Sequence, residues 1–398
     1  MTQDIKLAIR ALAVIQILAI ALSFVGTSDR SVSITRGDFP AFFTAAHFAA
    51  TGQFDQLYEV SAAKEFQATH WRQAPDAVNP FIYPPYVAFL LEPLALFSKA
   101  TAQAIFITFM ICCVLVATIL AKRFAPLIKN NFLDSLALIS LVAPVSNGVF
   151  GSQTVGLSLL CYAAFIHFQL KEDSQSQFLS GIALGIWFFK PHFPILGVIF
   201  LSMTRRWKAL IGVALPLAIY WYLGSLAFSP TWPLRYLNEL HAINQFELAQ
   251  NHSNMVSING VLIALIKALG LSAYEGVVQL LAALIAFSLL GHVYWLVKKE
   301  KIQPKDCLYL FGALIVLISP HTLHYDMALC VFPIAHYLRL HTIRERVLVA
   351  VSLMALYFLT AQRGSLPITP LFGFAVLAYW YVLSQAQAQQ PGDESLKS

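Results

Sequence analysis

The chain has 398 residues, of which 58% are hydrophobic and only 12% are charged, and its mean hydropathy is +0.67. Globular domains carry about 25% charged residues, so this composition excludes an ordinary water-soluble domain and indicates an all-α polytopic membrane protein. The net charge of +6 does not indicate nucleic-acid binding, because Lys and Arg stand in short clusters between apolar runs.

Apolar runs predict about twelve transmembrane helices, several of them shorter than the ~20 residues of a perpendicular span. The first run, Leu7–Val25, lacks a small-residue cleavage site, so we expect a retained helix with a cytoplasmic N-terminus. The other runs are Thr101–Ala121, Phe132–Val149, Val155–Leu170, Phe178–Phe189, Phe193–Met203, Ala209–Phe228, Glu275–Val297, Leu308–Ser319, Leu323–Leu338, Val347–Ala361 and Leu366–Leu383.

The basic clusters orient these helices. With the N-terminus inside, nearly every Lys/Arg cluster falls in a cytoplasmic loop, as the positive-inside rule requires. Two further apolar runs, Tyr83–Phe97 and Val256–Leu271, are expected to be short helices at the outer surface, because a full span at Tyr83–Phe97 would move the later basic clusters outside.

This threading predicts a single integral-membrane domain over residues 1–384 with both termini cytoplasmic. Residues 27–100 form the first outer loop, residues 229–272 form a second large outer loop, and the polar tail 385–398 is expected to be disordered. The five cysteines lie in or beside apolar runs, so we expect buried thiols and no disulfide framework.

Asp38, in the sequence Arg36-Gly37-Asp38-Phe39, follows the first helix by roughly ten residues and so is expected close to the outer surface. A carboxylate kept ionised by a neighbouring arginine suits a general base. The alternative is an N-cap, since a helix-like stretch begins at Phe39.

Two other polar groups interrupt apolar sequence on the predicted outer side. In Lys190-Pro191-His192 the proline breaks the helix, and a buried lysine needs an anion such as phosphate, unless it extends to the headgroups. The turn Ser319–Asp326 holds His321, His324 and Asp326, which suit hydrogen bonding to a phosphate or sugar, or a structural histidine pair. Without a third strong ligand, zinc is disfavoured.

Weaker signals come from the loop Ser229–Asn254 and from the tight turn that contains Gln153. The loop combines aromatic, amide and basic side chains, including Arg235 and Asn251, as a carbohydrate- or phosphate-binding surface or an ordinary solvated loop would. The Gln153 amide offers a donor and an acceptor to a hydroxylated ligand.

In chain order these motifs resemble the GT-C membrane glycosyltransferases, most closely glycosyltransferase family 87. The matching elements are Gly37-Asp38-Phe39, Ala45-Ala46, Gly52, Leu57-Tyr58, Tyr83-Pro84-Pro85, Pro93, the glycine turn with Gln153, Lys190-Pro191, Asn251 with Ser253, and Ser319-Pro320-His321. They cover about residues 30 to 330. The chain departs from the family pattern at Ser152, which separates a glycine and a glutamine that are usually adjacent, at Phe42-Phe43, where tyrosines are usual, and at His252.

The resemblance implies a GT-C fold and transfer of a hexose, mannose in the family, from a polyprenyl-phosphate carrier to a hydroxyl of a glycan or glycolipid. The reaction would take place on the outer face of the plasma (inner) membrane, with inversion and with Asp38 as the base. Contacts to the donor phosphate and sugar are expected from Arg36, Lys190, His192, Arg235, His321 and His324. The substrate pocket is expected to include Tyr83, Gln153, Asn251, Ser253 and Asp326.

No cofactor is implied, and the first outer loop contains no Asp-x-Asp sequence, so we expect no metal requirement. The main alternative is a transporter that uses Lys190 and the His321/His324/Asp326 group as an ion path. It is disfavoured because no inverted repeat is visible and the polar groups gather on the predicted outer side. A membrane scaffold is a third alternative, which would leave those groups without a purpose.

Overall fold

The computed structural model describes residues 3, 6–7, 9–16, 37–71, 78–240, 255–301 and 303–337. Three predicted site residues, Arg36, Asn251 and Ser253, lie outside the described residues, as do the last two predicted spans and the tail 385–398. Within the described ranges the chain is helical apart from turns and an isolated antiparallel bridge between Met255 and Leu323.

The chain forms two compact units. One comprises Met1–Arg123 and Ile128–Asn251, and the other comprises Phe124–Leu127 and His252–Ser398. The single domain predicted over residues 1–384 stays a prediction, and each unit is described by itself.

Helices up to residue 240 are numbered in chain order. They are α1 (Phe39–Ala50), α2 (Val60–His70), α3 (Pro85–Leu91), α4 (Lys99–Ala121), α5 (Pro126–Asn130), α6 (Phe132–Leu141), α7 (Ala143–Phe150), α8 (Val155–Gln169), α9 (Ser174–Ile186), α10 (Ile195–Met203) and α11 (Trp207–Ala227). Short 3-10 helices occupy Phe54–Gln56, Glu92–Leu96 and Trp187–Phe189, and residues 9–16 and 232–240 are also helical.

The second unit contains α12 (Ile258–Ala268), α13 (Glu275–Lys298), α14 (Pro304–Ile318) and α15 (Val331–Tyr337), with 3-10 helices at Ser272–Tyr274 and His324–Cys330. Its core joins Ile258, Ala282 and Leu317, one residue from each of α12, α13 and α14.

Three described helical stretches are long and apolar enough to cross a membrane: α4, α11 and Ser272–Lys298, which includes α13. They fall where long apolar runs predict spans, because about 20 apolar residues are the signal of a membrane helix. The protein is therefore an all-α membrane protein, while the total of about twelve spans stays a prediction.

The run Phe132–Val149 is not one straight helix. The backbone leaves the helical region at Val142, and Pro144 stands in the first turn of α7, so that α6 and α7 meet at a bend of 68°. A proline has no N–H and its ring excludes the preceding turn, which explains the break. The pair is either a broken span or a re-entrant loop.

Glycines allow close approach between helices in the first unit. A Cβ at Gly181 of α9 would collide with the carbonyl oxygen of Ala209 in α11, and one at Gly156 of α8 would collide with that of Met110 in α4. Small residues at such crossings are typical of membrane helix packing. The contact at Gly156 holds the start of α8 against α4, which matters for the site.

Four of the cysteines are buried as expected, but Cys112 is exposed, so the prediction is wrong for that thiol. It lies on α4 on the same face as Phe109 and Val116, which are 50% and 43% exposed. An apolar exposed face on a candidate span suits contact with lipid.

Candidate active site

Asp38 stands at the N-cap position of α1, with φ −90° and ψ 5°. Its backbone carbonyl accepts hydrogen bonds from the N–H groups of Ala41 and Phe42. Its side chain, however, makes no capping hydrogen bond to the first turn. The N-cap alternative is therefore right about the position and wrong about the carboxylate, which is half-buried.

The residue before it fixes where Asp38 can lie. Gly37 has φ +105°, and a Cβ there would collide with the carbonyl oxygen of Gly151. The same oxygen accepts a hydrogen bond of 3.2 Å from the backbone N–H of Asp38. The Gly37-Asp38 motif thus lies directly on the turn between α7 and α8, about 110 residues later in the chain.

A second support reaches the motif from α2. The Asn79 side-chain N–H₂ donates to the carbonyl oxygen of Gly37 at 2.8 Å. Asn79 is held in turn by Gln67, which is fully buried: the Gln67 amide donates to the Asn79 carbonyl at 2.8 Å and accepts from its N–H at 3.0 Å. Both the N–H and the C=O of the Gly37–Asp38 peptide unit are therefore hydrogen-bonded, to Gly151 and to Asn79.

The turn between α7 and α8 carries the predicted pocket residue Gln153. Its N–H donates to the Gly148 carbonyl at 2.7 Å. Its side chain is 3% exposed, and Oε1 has no hydrogen-bond partner among the residues that the structure describes. A buried acceptor without a partner is costly to the fold, which marks it as a candidate for ligand binding.

Tyr83, the second predicted pocket residue, is buried beside the same turn. Its hydroxyl lies 3.2 Å from Oγ1 of Thr154, its ring packs 5.2 Å from that of Phe42 in α1, and its carbonyl accepts from the Tyr58 hydroxyl at 2.8 Å. The pKa of Tyr58 is raised well above its ordinary value, mainly by burial and to a smaller extent by the neighbouring Tyr236. The Tyr58 hydroxyl therefore stays protonated and remains a hydrogen-bond donor. The structure thus brings Asp38, Gln153 and Tyr83 into one connected region.

Lys190 and His192 lie in the turn between the 3-10 helix Trp187–Phe189 and α10. Lys190 is 7% exposed, and its Nζ lies 5.0 Å from the ring centroid of Phe193. The His192 ring meets the same phenylalanine edge to face at 4.4 Å. The aromatic ring attracts the buried ammonium, so Lys190 places a positive charge in surroundings of low dielectric constant.

Arg235, on the helical residues 232–240, has carboxylate neighbours. Its Nη1 lies 3.1 Å from Asp55, its Nε lies 4.0 Å from Glu239, and the guanidinium stacks 4.1 Å from the ring centroid of Phe228. The next residue, Tyr236, donates from its hydroxyl to the Ile82 carbonyl at 3.0 Å. This arginine therefore connects residues 232–240 to the 3-10 helix Phe54–Gln56.

The predicted histidine turn belongs to the second unit. The Asn259 side chain donates to the Pro320 carbonyl at 3.0 Å. The Val256 N–H donates to the Thr322 carbonyl at 2.9 Å. Asp326 is 4% exposed, and its Oδ2 accepts from the Leu323 N–H at 3.0 Å. His321 and His324, both half-buried, flank this folded turn.

Residues 81–320 match the family model described as Glycosyltransferase family 87. This is more than half of the chain. The chain belongs to glycosyltransferase family 87. No significant match is found among curated proteins or among solved structures.

Membership of family 87 makes the protein a membrane glycosyltransferase of the GT-C type and gives the transporter alternative no support. The matched range contains Tyr83, Gln153, Lys190, His192 and Arg235. Asp38 precedes it, and the turn from His321 to Asp326 follows it, so the roles of these residues in a family 87 enzyme rest on the structure and on the sequence motifs.

Three buried or half-buried amides at the site were missed by the sequence reasoning: Gln67, Asn79 and Gln103. Gln103 is 3% exposed and donates to Oγ of Ser152 in the turn that carries Gln153. Its only signal in the sequence is a polar side chain in the first turns of an apolar run, where α4 begins. Among the described residues no group of three or more His, Cys, Asp or Glu could hold a metal ion, and metal independence stays a prediction.

Proposed function

We propose that this family 87 enzyme transfers a hexose, in the first instance mannose, from a polyprenyl-phosphate carrier to an acceptor hydroxyl, with Asp38 as the general base. Asp38 would take the proton of the acceptor hydroxyl as its oxygen attacks the anomeric carbon. The configuration at that carbon would invert, and the carrier monophosphate would leave. The acceptor would be a glycan or glycolipid at the outer face of the membrane.

The observation that carries this proposal is how the fold treats Asp38. Both polar groups of the Gly37–Asp38 peptide unit are hydrogen-bonded, the Asp38 N–H to Gly151 and the Gly37 carbonyl to Asn79, while the carboxylate makes no cap to its own helix. A general base must be held in a fixed position relative to the substrate hydroxyl. This combination suits the role better than a purely structural one.

The departing phosphate needs positive charge nearby, because negative charge develops on its oxygen in the transition state. Lys190 suits this task, since its ammonium is buried and its backbone is fixed by the Lys190 N–H bond of 3.0 Å to the Trp187 carbonyl. His192, His321 and His324 are candidates for further phosphate or sugar contacts. Arg235 would contribute less charge than Lys190, because Asp55 and Glu239 already lie within 4.0 Å of it.

For the sugar we propose Gln153 as a hydrogen-bond acceptor, since its Oε1 lacks a partner within the described residues. Tyr83 would shape the wall beside it. Asp326 is proposed as a pocket residue of the second unit, and Arg36, Asn251 and Ser253 keep their proposed roles in donor and substrate binding on the family motifs alone.

The test uses purified protein in nanodiscs with radiolabelled polyprenyl-phosphate mannose and a crude lipid and glycan extract as acceptor. Asp38→Asn should lower transfer by roughly 10²- to 10⁴-fold, the range expected for loss of a general base. Glu65→Gln, which removes an exposed carboxylate of α2, is the matched control and should transfer at the wild-type rate. Retained transfer by Asp38→Asn would overturn the base assignment.

The donor is tested in the same assay by a panel of lipid-linked sugars and nucleotide sugars. Transfer from another sugar in place of mannose would correct the sugar and keep the mechanism. Transfer only from a nucleotide sugar would overturn the proposed carrier. The stereochemistry of the product then tests inversion.

The proposed location is the plasma (inner) membrane with the site outside and both termini inside. Cysteines introduced at two exposed positions, Glu65→Cys and Glu300→Cys, distinguish the sides in intact cells. A membrane-impermeant maleimide should label position 65 above the background of the parent protein and should leave position 300 unlabelled. The reverse pattern would invert the topology.

A further inference from the structure

We propose that Gln103 is a positioning residue for Asp38 and acts through the turn that contains Ser152. The inference rests on the proposed function, because it assigns Gln103 a role only if Asp38 is the base. It adds a residue from α4 that neither the family motifs nor the sequence pattern assigns.

The first step is the bond between Gln103 and Ser152. Gln103 Nε2 donates to Ser152 Oγ at 3.1 Å, and the two residues are 3% and 0% exposed. Neither side chain reaches bulk water, so each depends on the other for its hydrogen bond. A substitution that removes either group leaves the other buried without that partner.

The second step is backbone strain. Ser152 has φ +54°, a left-handed conformation that residues with a side chain rarely adopt. Strained backbone of this kind persists only where the surroundings hold it. The Gln103 side chain forms a direct hydrogen bond with this strained residue. The Ser152 N–H also donates to the Val149 carbonyl at 3.1 Å, which closes the turn.

The third step connects the turn to Asp38. Gly151, adjacent to Ser152, offers its carbonyl oxygen to the Asp38 N–H at 3.2 Å, and Gly37 packs directly on the same oxygen. A rotation of the peptide unit between Gly151 and Ser152 would therefore move Asp38. The relay runs from α4 through Gln103, Ser152 and Gly151 to the base.

Helix α4, which carries Gln103, is also packed closely against the start of α8. Gln103 lies two turns before Met110, whose carbonyl oxygen is in close contact with Gly156 at the start of α8. Helix α4 therefore borders the turn at two points, one through a side-chain hydrogen bond and the other through backbone packing. A displacement of catalytic groups by about 1 Å can lower a rate roughly 100-fold, so modest loosening here is measurable.

The variants separate positioning from general stability. Gln103→Met keeps the length of the side chain but cannot donate, and Ser152→Ala removes the acceptor. Ser152→Gly removes the acceptor and also the need for support, because glycine adopts positive φ without strain. The matched control is Gln169→Met, which removes another buried Gln–Ser hydrogen bond, 2.6 Å to Ser180, between α8 and α9.

Two readouts are measured in nanodiscs for wild type and each variant. The first is kcat and KM with radiolabelled polyprenyl-phosphate mannose and the crude acceptor extract, with Asp38→Asn assayed in parallel. The second is hydrogen exchange, followed by mass spectrometry, of the peptide that begins at Gly37. Thermal unfolding is recorded alongside.

We expect Gln103→Met to lower kcat by roughly 10- to 100-fold with an unchanged KM for the donor, and to speed exchange at the Gly37 peptide. In a protein that already carries Ser152→Ala, Gln103→Met should lower kcat little further. In a protein that carries Ser152→Gly, the fall in kcat caused by Gln103→Met should be largely reversed. Gln169→Met should lower the unfolding temperature to a similar extent and leave kcat and the exchange of that peptide unchanged.

Three results would overturn the inference while leaving the proposed function intact, provided that Asp38→Asn is inactive. They are a wild-type kcat in Gln103→Met, unchanged exchange at the Gly37 peptide, and an equal loss of kcat in Gln169→Met. An active Asp38→Asn variant is a different failure, because it overturns the base assignment itself.

Discussion

One aspartate at the N-cap of a helix and another in the first turn of a 3-10 helix lie in different units of this protein, and their side chains differ in how they bond to the backbone. Asp326, in the 3-10 helix His324–Cys330, is buried and accepts a hydrogen bond from the Leu323 N–H. Asp38, at the start of α1, is half-buried and makes no such bond to its helix. The Asp326 side chain accepts a hydrogen bond from the backbone of its own turn. At Asp38 the backbone is hydrogen-bonded to Gly151, and that of Gly37 to Asn79.

The difference separates a carboxylate that caps a helical segment from the proposed base. A capping carboxylate satisfies backbone N–H groups that the helix itself cannot pair, and it stabilises the fold. Around Asp38 the backbone is stabilised by hydrogen bonds to the Gly151 carbonyl and from the Asn79 side chain, and Asn79 is itself bonded to Gln67. This contrast fits the proposed role of Asp38 as the general base.

The strongest way to break the Asp38 arrangement is Gly37→Ala. The added Cβ would collide with the Gly151 carbonyl, and φ +105° is unfavourable for alanine. We expect transfer to fall by at least about 100-fold, because the base is displaced from its substrate. The transfer assay in nanodiscs measures this change.

Gly52→Ala is the control for backbone strain alone. Gly52 also has positive φ, +70°, but nothing lies within 4 Å of a Cβ at this position. The variant should lose about 1–2 kcal/mol of stability and keep wild-type transfer. Equal losses of activity in the two variants would mean that strain, and not the contact with Gly151, sets the position of Asp38.

Asp326→Ala is the corresponding test of the second region. It should destabilise the protein by about 1–3 kcal/mol, because the buried Leu323 N–H loses its acceptor. Thermal unfolding in nanodiscs measures the loss. Asp326→Asn should be milder, since its amide oxygen can still accept the bond; if that variant unfolds normally and yet loses transfer, Asp326 is a pocket residue as well as a structural one.

Long apolar runs predicted the helices of this protein well. The spans expected at Thr101–Ala121 and Glu275–Val297 are the helices Lys99–Ala121 and Glu275–Lys298, because length and hydrophobicity alone decide such segments. The run Phe132–Val149 stays a candidate span, but its bend of 68° was not predicted, because a hydropathy pattern does not register the N–H that Pro144 lacks.

The site was predictable in part. Asp38, Gln153 and Tyr83 were named from the ordered family motifs, and the structure brings them together, although no spacing rule predicts that Gly37 meets Gly151. Gln67 and Gln103 could not be found this way. An amide in a sequence does not reveal whether it faces lipid, water or another buried amide, since that depends on tertiary contacts.

Asn79→Ala tests the second support of Asp38 and should have a smaller effect than the change at Gly37. It removes one hydrogen bond, to the Gly37 carbonyl, worth about 1 kcal/mol. If that loss appears entirely in the transition state, kcat falls roughly five-fold. Thr69→Ala, at an exposed hydroxyl of α2, should leave kcat unchanged. A normal kcat in Asn79→Ala would mean that Gly151 alone positions the base.

The smallest expected effect concerns Asp173, a third aspartate that begins a helix and that does cap it. Its Oδ1 accepts from the Ser176 N–H at 2.8 Å, and this backbone hydrogen bond, followed by that from the Ser176 hydroxyl, lowers the pKa of the carboxyl. Because the folded pKa lies below the unfolded one, the stabilisation is present above the unfolded value of about 3.9 and is lost as pH falls through the folded value.

Asp173→Ala should therefore unfold at a slightly lower temperature than wild type near neutral pH, and the difference should narrow as the pH falls below about 4. Unfolding curves in nanodiscs across this pH range measure it. A difference that does not narrow in acid would mean that the ionised Asp173 carboxylate does not stabilise the fold through its cap, and the contrast with the proposed base Asp38 would lose its reference.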